Sequence, residues 1–199
     1  MITRKEMTRM LLKEGLLSWL ANNSFESVTV TSLCKASGIT RSTFYLHYSN
    51  IMEIVDDLVD DAIAYSNPGM VDNNNLQIIA KALSAASNSV SLREAYDSIF
   101  DRLPLCQRII RHKKYLPLFL DEQISEYVLQ RIIGREKDRQ GLVIAESLGV
   151  LFDVGVSVFV FLVHGLYAIN KEYKWTQSDE WLEAQKVIFE LVYRGLQSK

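Results

Sequence analysis

The stretch VTVTSLCKASGITRSTFYLHY, residues 28–48, holds two short amphipathic pieces on either side of Gly38. Thr29 stands where an N-cap belongs, and Val30, Leu33 and Cys34 recur at helical spacing, which predicts a helix from Val30 to Ser37. Gly38 supplies the positive φ that reverses the chain, and Thr40 caps a second piece, roughly Arg41 to Leu46. Helix, tight turn and helix make the unit that sets its second helix into the major groove of DNA.

The composition just past the turn fits that use. Arg41 has the planar fork that bonds guanine in bidentate fashion, and Ser42 and Thr43 reach bases or phosphates. Tyr45, His47 and Tyr48 follow where the chain leaves the groove, with donors suited to phosphate oxygens. Thr29 and the first turn of the preceding helix offer N–H groups to another phosphate, and Lys35 and Thr40 complete the expected DNA-binding set.

These residues resemble the DNA-binding head of the TetR family of bacterial transcriptional regulators. The resemblance rests on Phe25, Thr29-Val30, Leu33, the Ala36-x-Gly38-Ile39 turn and the Thr43-Phe44-Tyr45-x-His47-Tyr48 ending, and it extends over roughly residues 5–60. Two positions depart from it. Ser24 stands where the family usually has glycine, and Ile51 where it usually has a lysine that contacts phosphate. The second departure removes one backbone contact, which either weakens affinity or hands that contact to Lys35 or His47.

Around the motif the pattern is helical. A first helix, roughly Thr3 to Asn22, carries Met7, Leu12, Leu16, Trp19 and Leu20 on its apolar face, and Gly15 inside it marks a close helix contact. A fourth helix, about Asn50 to Tyr65, turns Ile51, Ile54, Val55, Leu58, Val59 and Ile63 inward and its acidic residues outward as ordinary surface. SNPGMVDNNN (residues 66–75) is the clearest break in the chain. Helical segments follow near 76–90, 92–102, 105–113 and 117–136. GREKDRQG (residues 134–141) reads as a solvated connection, followed by a very apolar helix over 143–173 and a last helix to about Gln197. With no strand alternation, the expectation is an all-α protein: a three-helix head over 1–50 with its helix-turn-helix at 29–48, a connecting helix at 51–66, and a larger helical domain over 67–199.

Composition narrows the class further. The chain has 199 residues, 48% of them hydrophobic and 23% charged, with a formal net charge of -2. Arg4, Lys5, Arg9, Lys13, Lys35 and Arg41 outnumber Glu6, Glu14 and Glu26 over residues 1–50, which gives a locally basic head. Cys34 and Cys106 lack metal or disulfide spacing and read as reduced thiols, and no leader pattern opens the chain, so the expected location is cytoplasmic. No nucleophile elbow, phosphate loop or paired-carboxylate arrangement is present. A catalytic role, a metal and a cofactor are not expected.

The stretch from Leu148 to Ile169 is apolar on every side, which suits a helix buried on two faces. It is long enough to span a bilayer, yet Asp153 and His164 lie within it, and the expectation is a homodimer interface instead, with Gly149, Gly155 and Gly165 permitting close approach. The resemblance implies the same: the last two helices of each subunit form a four-helix bundle, and the larger domain binds a small-molecule effector. Tyr65, Tyr96, Phe100, Phe119, Phe152, Asp153, Phe159 and His164 are the candidates to line that effector site, Asp153 and His164 as its polar anchors. His112, beside Lys113 and Lys114, reads as a solvated basic patch. The implied function is a dimeric repressor on a palindromic operator of double-stranded DNA, released by the effector. The alternative is the same fold as a co-activator controlled by a protein partner.

Overall fold

Thr3 accepts the Glu6 N–H at 3.2 Å while the Glu6 carboxylate takes the Thr3 N–H at 2.7 Å, and this capping box opens helix α1, Arg4–Leu20. In the computed structural model of the protein, residues 3–66, 75–85, 91–103, 107–108 and 113–197 are described. Cys106, His112 and nearly all of the break at 66–75 lie outside them. All the described elements are helical: α2 Val30–Ser37, α3 Arg41–Tyr45, α4 Ile51–Ser66, α5 Asn75–Ser84, α6 Leu92–Ser98, α7 Leu116–Leu120, α8 Ser125–Leu148, α9 Phe152–Glu172 and α10 Asp179–Gln197. Short 3₁₀ turns lie at Phe25–Ser27 and Phe100–Arg102.

The chain divides into two compact units, residues 1–65 with 112–134 and residues 66–111 with 135–199. In this division a later piece of chain, residues 112–134, groups with the head. Asp121 accepts the Phe25 N–H at 2.7 Å, Lys114 pairs with Glu14 at 2.7 Å, and Asp56 of α4 accepts from the Tyr127 hydroxyl at 2.7 Å and forms an ion pair with Arg131 at 2.7 Å.

The core of the first unit is built from Leu12, Leu16, Leu33, Phe44, Ile54, Val55 and Leu58, none more than 1% exposed. Met7, expected on the inner face of α1, is 42% exposed. Gly15 marks a close contact as expected: a Cβ there would stand 2.1 Å from Ser37 Oγ and 3.3 Å from Leu33 Cδ1.

In the second unit α10 packs on α5 and α6. Trp181 is fully buried, meets the Tyr96 ring edge-on at 5.2 Å, and donates its indole N–H to Asn170 at 3.0 Å. The Asn170 carbonyl also takes the Trp175 N–H at 2.7 Å, closing a corner in which Lys174 and Trp175 both hold left-handed backbone, φ 51° and 55°.

Two expectations about the long helices are corrected. GREKDRQG is not a connection but the middle of α8, since its charged residues are good helix formers and Glu136 pairs one turn on with Arg139. The chain breaks instead at Gly149, φ 61°, where the Val150 N–H caps the Ala145 carbonyl at 3.1 Å. Of the three glycines expected at close contacts, Gly155 is at one: a Cβ there would lie 2.2 Å from the Gly141 carbonyl oxygen of α8. Gly149 and Gly165 have open space around them. Helix α9 is long and apolar enough to cross a membrane, and 17% of its most apolar window is buried.

Candidate nucleic-acid interface

Local forces fix the shape of the motif. Thr29 and Ser32 form a second capping box, with the Ser32 N–H on Thr29 Oγ1 at 3.0 Å and the Thr29 N–H on Ser32 Oγ at 2.9 Å. At the far end of α2, Gly38 has φ 67° and the Ile39 N–H reaches the Cys34 carbonyl at 2.9 Å, so the turn is a glycine-dependent helix stop. Thr40 then caps α3 by accepting the Thr43 N–H at 3.2 Å, and its hydroxyl also lies 3.0 Å from Ser42 Oγ and 2.8 Å from Thr43 Oγ1. Cys34 is buried, which pushes its thiol pKa up and leaves it unreactive.

The recognition piece has two distinct faces. Phe44 is fully buried and meets the Tyr45 ring edge-on at 5.2 Å. Thr29, Lys35, Thr40, Arg41, Ser42 and Tyr45 are exposed, and Thr43 and His47 are half-buried. At about 100° per residue, Arg41, Ser42, Tyr45 and Leu46 fall in one open sector, and Phe44 lies opposite. His47 Nδ1 is buried and has no hydrogen-bond partner among the described residues.

Tyr48 does not fit the role expected of it. It is 3% exposed, and its hydroxyl donates to Asp57 at 2.6 Å and accepts from Arg9 Nε at 3.3 Å. Arg9 donates to the same Asp57 carboxylate through Nε at 3.0 Å and again through Nη2, and its guanidinium lies 4.9 Å from the Tyr48 ring centre. Burial and the bond to Asp57 both raise the Tyr48 hydroxyl's pKa well above the ordinary tyrosine range. Burial alone would raise Asp57 too, but its bonds to Arg9 and Tyr48 and the nearby Lys13 charge outweigh that and hold it below the usual carboxylate value. Tyr48 is thus a strut between α1, the end of the recognition segment and α4.

The acidic run on α4 is likewise no ordinary surface: Asp57 holds Arg9 and Tyr48, Asp61 pairs with Lys13 at 2.5 Å, and Asp56 holds Tyr127 and Arg131. Arg9 and Asp57 were missed in the sequence, where no local spacing links them. Ile51, at the position of the expected lysine, is half-buried, and Ser24 caps the turn at Phe25–Ser27 by accepting the Glu26 N–H at 3.3 Å.

The residues expected around an effector divide between the units. Tyr65 and Phe119 belong to the first, and Tyr96, Phe100, Phe152, Asp153, Phe159 and His164 to the second. Tyr65 is 56% exposed, 6.2 Å from the Tyr115 ring, and Phe119 is buried. Asp153 is not a buried polar group seeking a partner. The break at Gly149 places it, exposed, in the first turn of α9, where an acid suits the helix dipole. Phe152 is 43% exposed, and Phe100, Phe159 and His164 are half-buried, with His164 Nδ1 2.9 Å from the Val160 carbonyl. Tyr96 is core, yet it starts a buried polar chain absent from the sequence reading: its hydroxyl donates to Gln107 Oε1 at 2.9 Å, and Gln107 Nε2 donates to Gln185 Oε1 at 2.9 Å. Gln185 Nε2 is buried with no partner among the described residues. A groove of about 580 Å³ at the starts of α6 and α10, lined by Ser91, Leu92, Arg93, Asp179, Glu180, Leu182 and Glu183, includes none of the expected effector residues.

The capped α2, the Gly38 turn and α3 make the protein an all-α, helix-turn-helix protein with a larger helical body. No family profile matches the chain, and no curated protein matches it. Among solved structures it is similar to the crystal structure of the TetR family repressor AlkX from Dietzia sp. strain DQ12-45-1b, a protein implicated in biodegradation of n-alkanes. The identity is 13%, 95% of each chain is covered, and the TM-score is 0.43.

Proposed function

We propose that this protein is a DNA-binding transcriptional regulator of the TetR type, not an enzyme: a cytoplasmic homodimeric repressor that binds a palindromic operator and leaves it when a small molecule binds the helical body. The observation that carries the reading is the two-faced recognition segment. Phe44 and Tyr48 are sunk into the head while Arg41, Ser42 and Tyr45 stand open on the other side of a helix fixed by its Thr40 cap. Arg41 reads a base edge, Ser42 and Thr43 reach bases or phosphates, and Tyr45, His47, Lys35, Thr40 and the Thr29 cap region meet the backbone.

Two-fold assembly is supported by the outer faces of α9 and α10. Val154 and Phe161, seven residues apart on one, and Val187 and Leu191, one turn apart on the other, are 45%, 73%, 61% and 71% exposed in a single copy. A second copy on this face would bury roughly 1,200–2,000 Å² and set two heads on successive half-sites. The effector part of the reading is supported by the buried Tyr96–Gln107–Gln185 chain, whose Gln185 Nε2 has no partner among the described residues and suits one polar end of an amphipathic molecule.

The test is retention of genomic fragments by the purified protein, sequencing of what is held, and footprinting of the enriched site. A palindromic footprint with half-sites one or more helical turns apart is the expected result. Retention that does not enrich any sequence would refute the reading.

A further inference from the structure

We propose that Leu46 is a specificity-determining residue that recognises the C5-methyl group of a thymine in each half-site. The inference rests on the DNA-binding reading above. Leu46 is 81% exposed, more than any other large hydrophobic side chain among the described residues. Its backbone is still helical, φ -75° and ψ -16°, and its N–H bonds to the Thr43 carbonyl at 3.2 Å, so the side chain's direction is set by the helix and not by a free loop.

That direction is the informative part. Leu46 follows Ser42 by one turn, beside exposed Tyr45, and lies on the side away from buried Phe44. It therefore continues the open face that begins at Arg41. A single exposed leucine is ordinary elsewhere on a protein surface. Here its neighbours are all polar groups suited to a polyanion, and leucine can bond neither a phosphate oxygen nor a base-edge donor or acceptor. The thymine methyl is the apolar group that the major groove displays at a base edge. Burying it against Leu46 gains what one methyl group out of water is worth and distinguishes a T·A pair without any hydrogen bond.

The experiment uses the full-length protein and the operator duplex recovered by fragment retention. Each thymine of the half-site is replaced in turn by deoxyuridine, which lacks only the methyl group, and affinity is measured for the native protein and for Leu46→Ala at fixed salt. One position per half-site should weaken the native protein roughly four-fold, the factor that one buried methyl implies. Leu46→Ala should bind the thymine operator more weakly by at least that factor and lose all discrimination at that position. Its salt dependence should match the native slope, because no phosphate contact is removed. Equal losses in both proteins, or no loss at any deoxyuridine, would overturn the proposal while leaving DNA binding intact. Failure to retain any specific fragment would instead overturn the DNA reading, and this proposal with it. Circular dichroism of Leu46→Ala separates a fold defect from a contact defect.

Discussion

The hydroxyl of Tyr48 donates to the carboxylate of Asp57 across 2.6 Å, and so the end of the recognition segment is tied to the first half of α4. Arg9 of α1 grips the same carboxylate. Three elements therefore meet at one oxygen, and the posture of α3 depends on a bond it does not itself make. Tyr48→Phe keeps the ring and removes the bond. It should cost about 1–3 kcal/mol of stability, read as a lower denaturant midpoint, and weaken DNA binding without changing which sequence is preferred. A change of preferred sequence would show that Tyr48 reads bases directly.

Acid should loosen the same junction. The folded-state pKa of Asp57 is lowered, so its contribution to stability is present above the ordinary aspartate value and is lost as pH falls through the folded value. Native protein should lose stability below about pH 4 more steeply than Asp57→Asn, whose amide cannot titrate. Parallel pH profiles for the two proteins would contradict the strut.

Within the second unit, Gly155→Ala is expected to be severe. The added Cβ would lie 2.2 Å from the Gly141 carbonyl and 2.8 Å from the Ala145 backbone nitrogen, both of them backbone atoms that cannot rotate away. Helices α8 and α9 must separate, at a cost of about 1–3 kcal/mol or more. Thermal unfolding measures it, and a melting point equal to the native one would mean that the crossing is not tight.

Phe161→Glu and Leu191→Glu place charges on side chains that are 73% and 71% exposed, so neither should harm the fold of a single chain. Together they should turn a dimer into a monomer at micromolar concentration in sedimentation, and they should abolish operator binding while leaving the helical content unchanged. A native protein that sediments as a monomer would remove the basis for the proposed interface.

Arg41→Ala should weaken specific binding by about 1–3 kcal/mol and relax preference at one base pair of each half-site. His47→Ala should instead weaken all sequences alike. Identical binding profiles for native protein and Arg41→Ala would show that α3 is not the reading helix.

What the sequence by itself determined is the local part. The caps at Thr29 and Thr40, the left-handed stop at Gly38 and the apolar rows of α1, α2 and α4 all depend on neighbours three or four residues away, and such neighbours are visible in a string. Gly15 was legible for the same reason: glycine in the middle of a helix calls for a packing cause.

Only the tertiary structure decided where the long-range partners fall. Arg9 meets Tyr48 and Asp57 across 39 and 48 residues, and Asp121 reaches Phe25 across 96. Hydrophobic periodicity shows that a side is buried but not which chain covers it, so an acid facing outward on α4 and a tyrosine at the end of the motif looked free for solvent or DNA. The same blindness hid the contacts that residues 112–134 make with the head and put Asp153 inside an apolar helix. A break of one glycine at Gly149 moved that aspartate to an exposed first turn, because a left-handed cap at Gly149 stops α8 where the apolar pattern runs on uninterrupted.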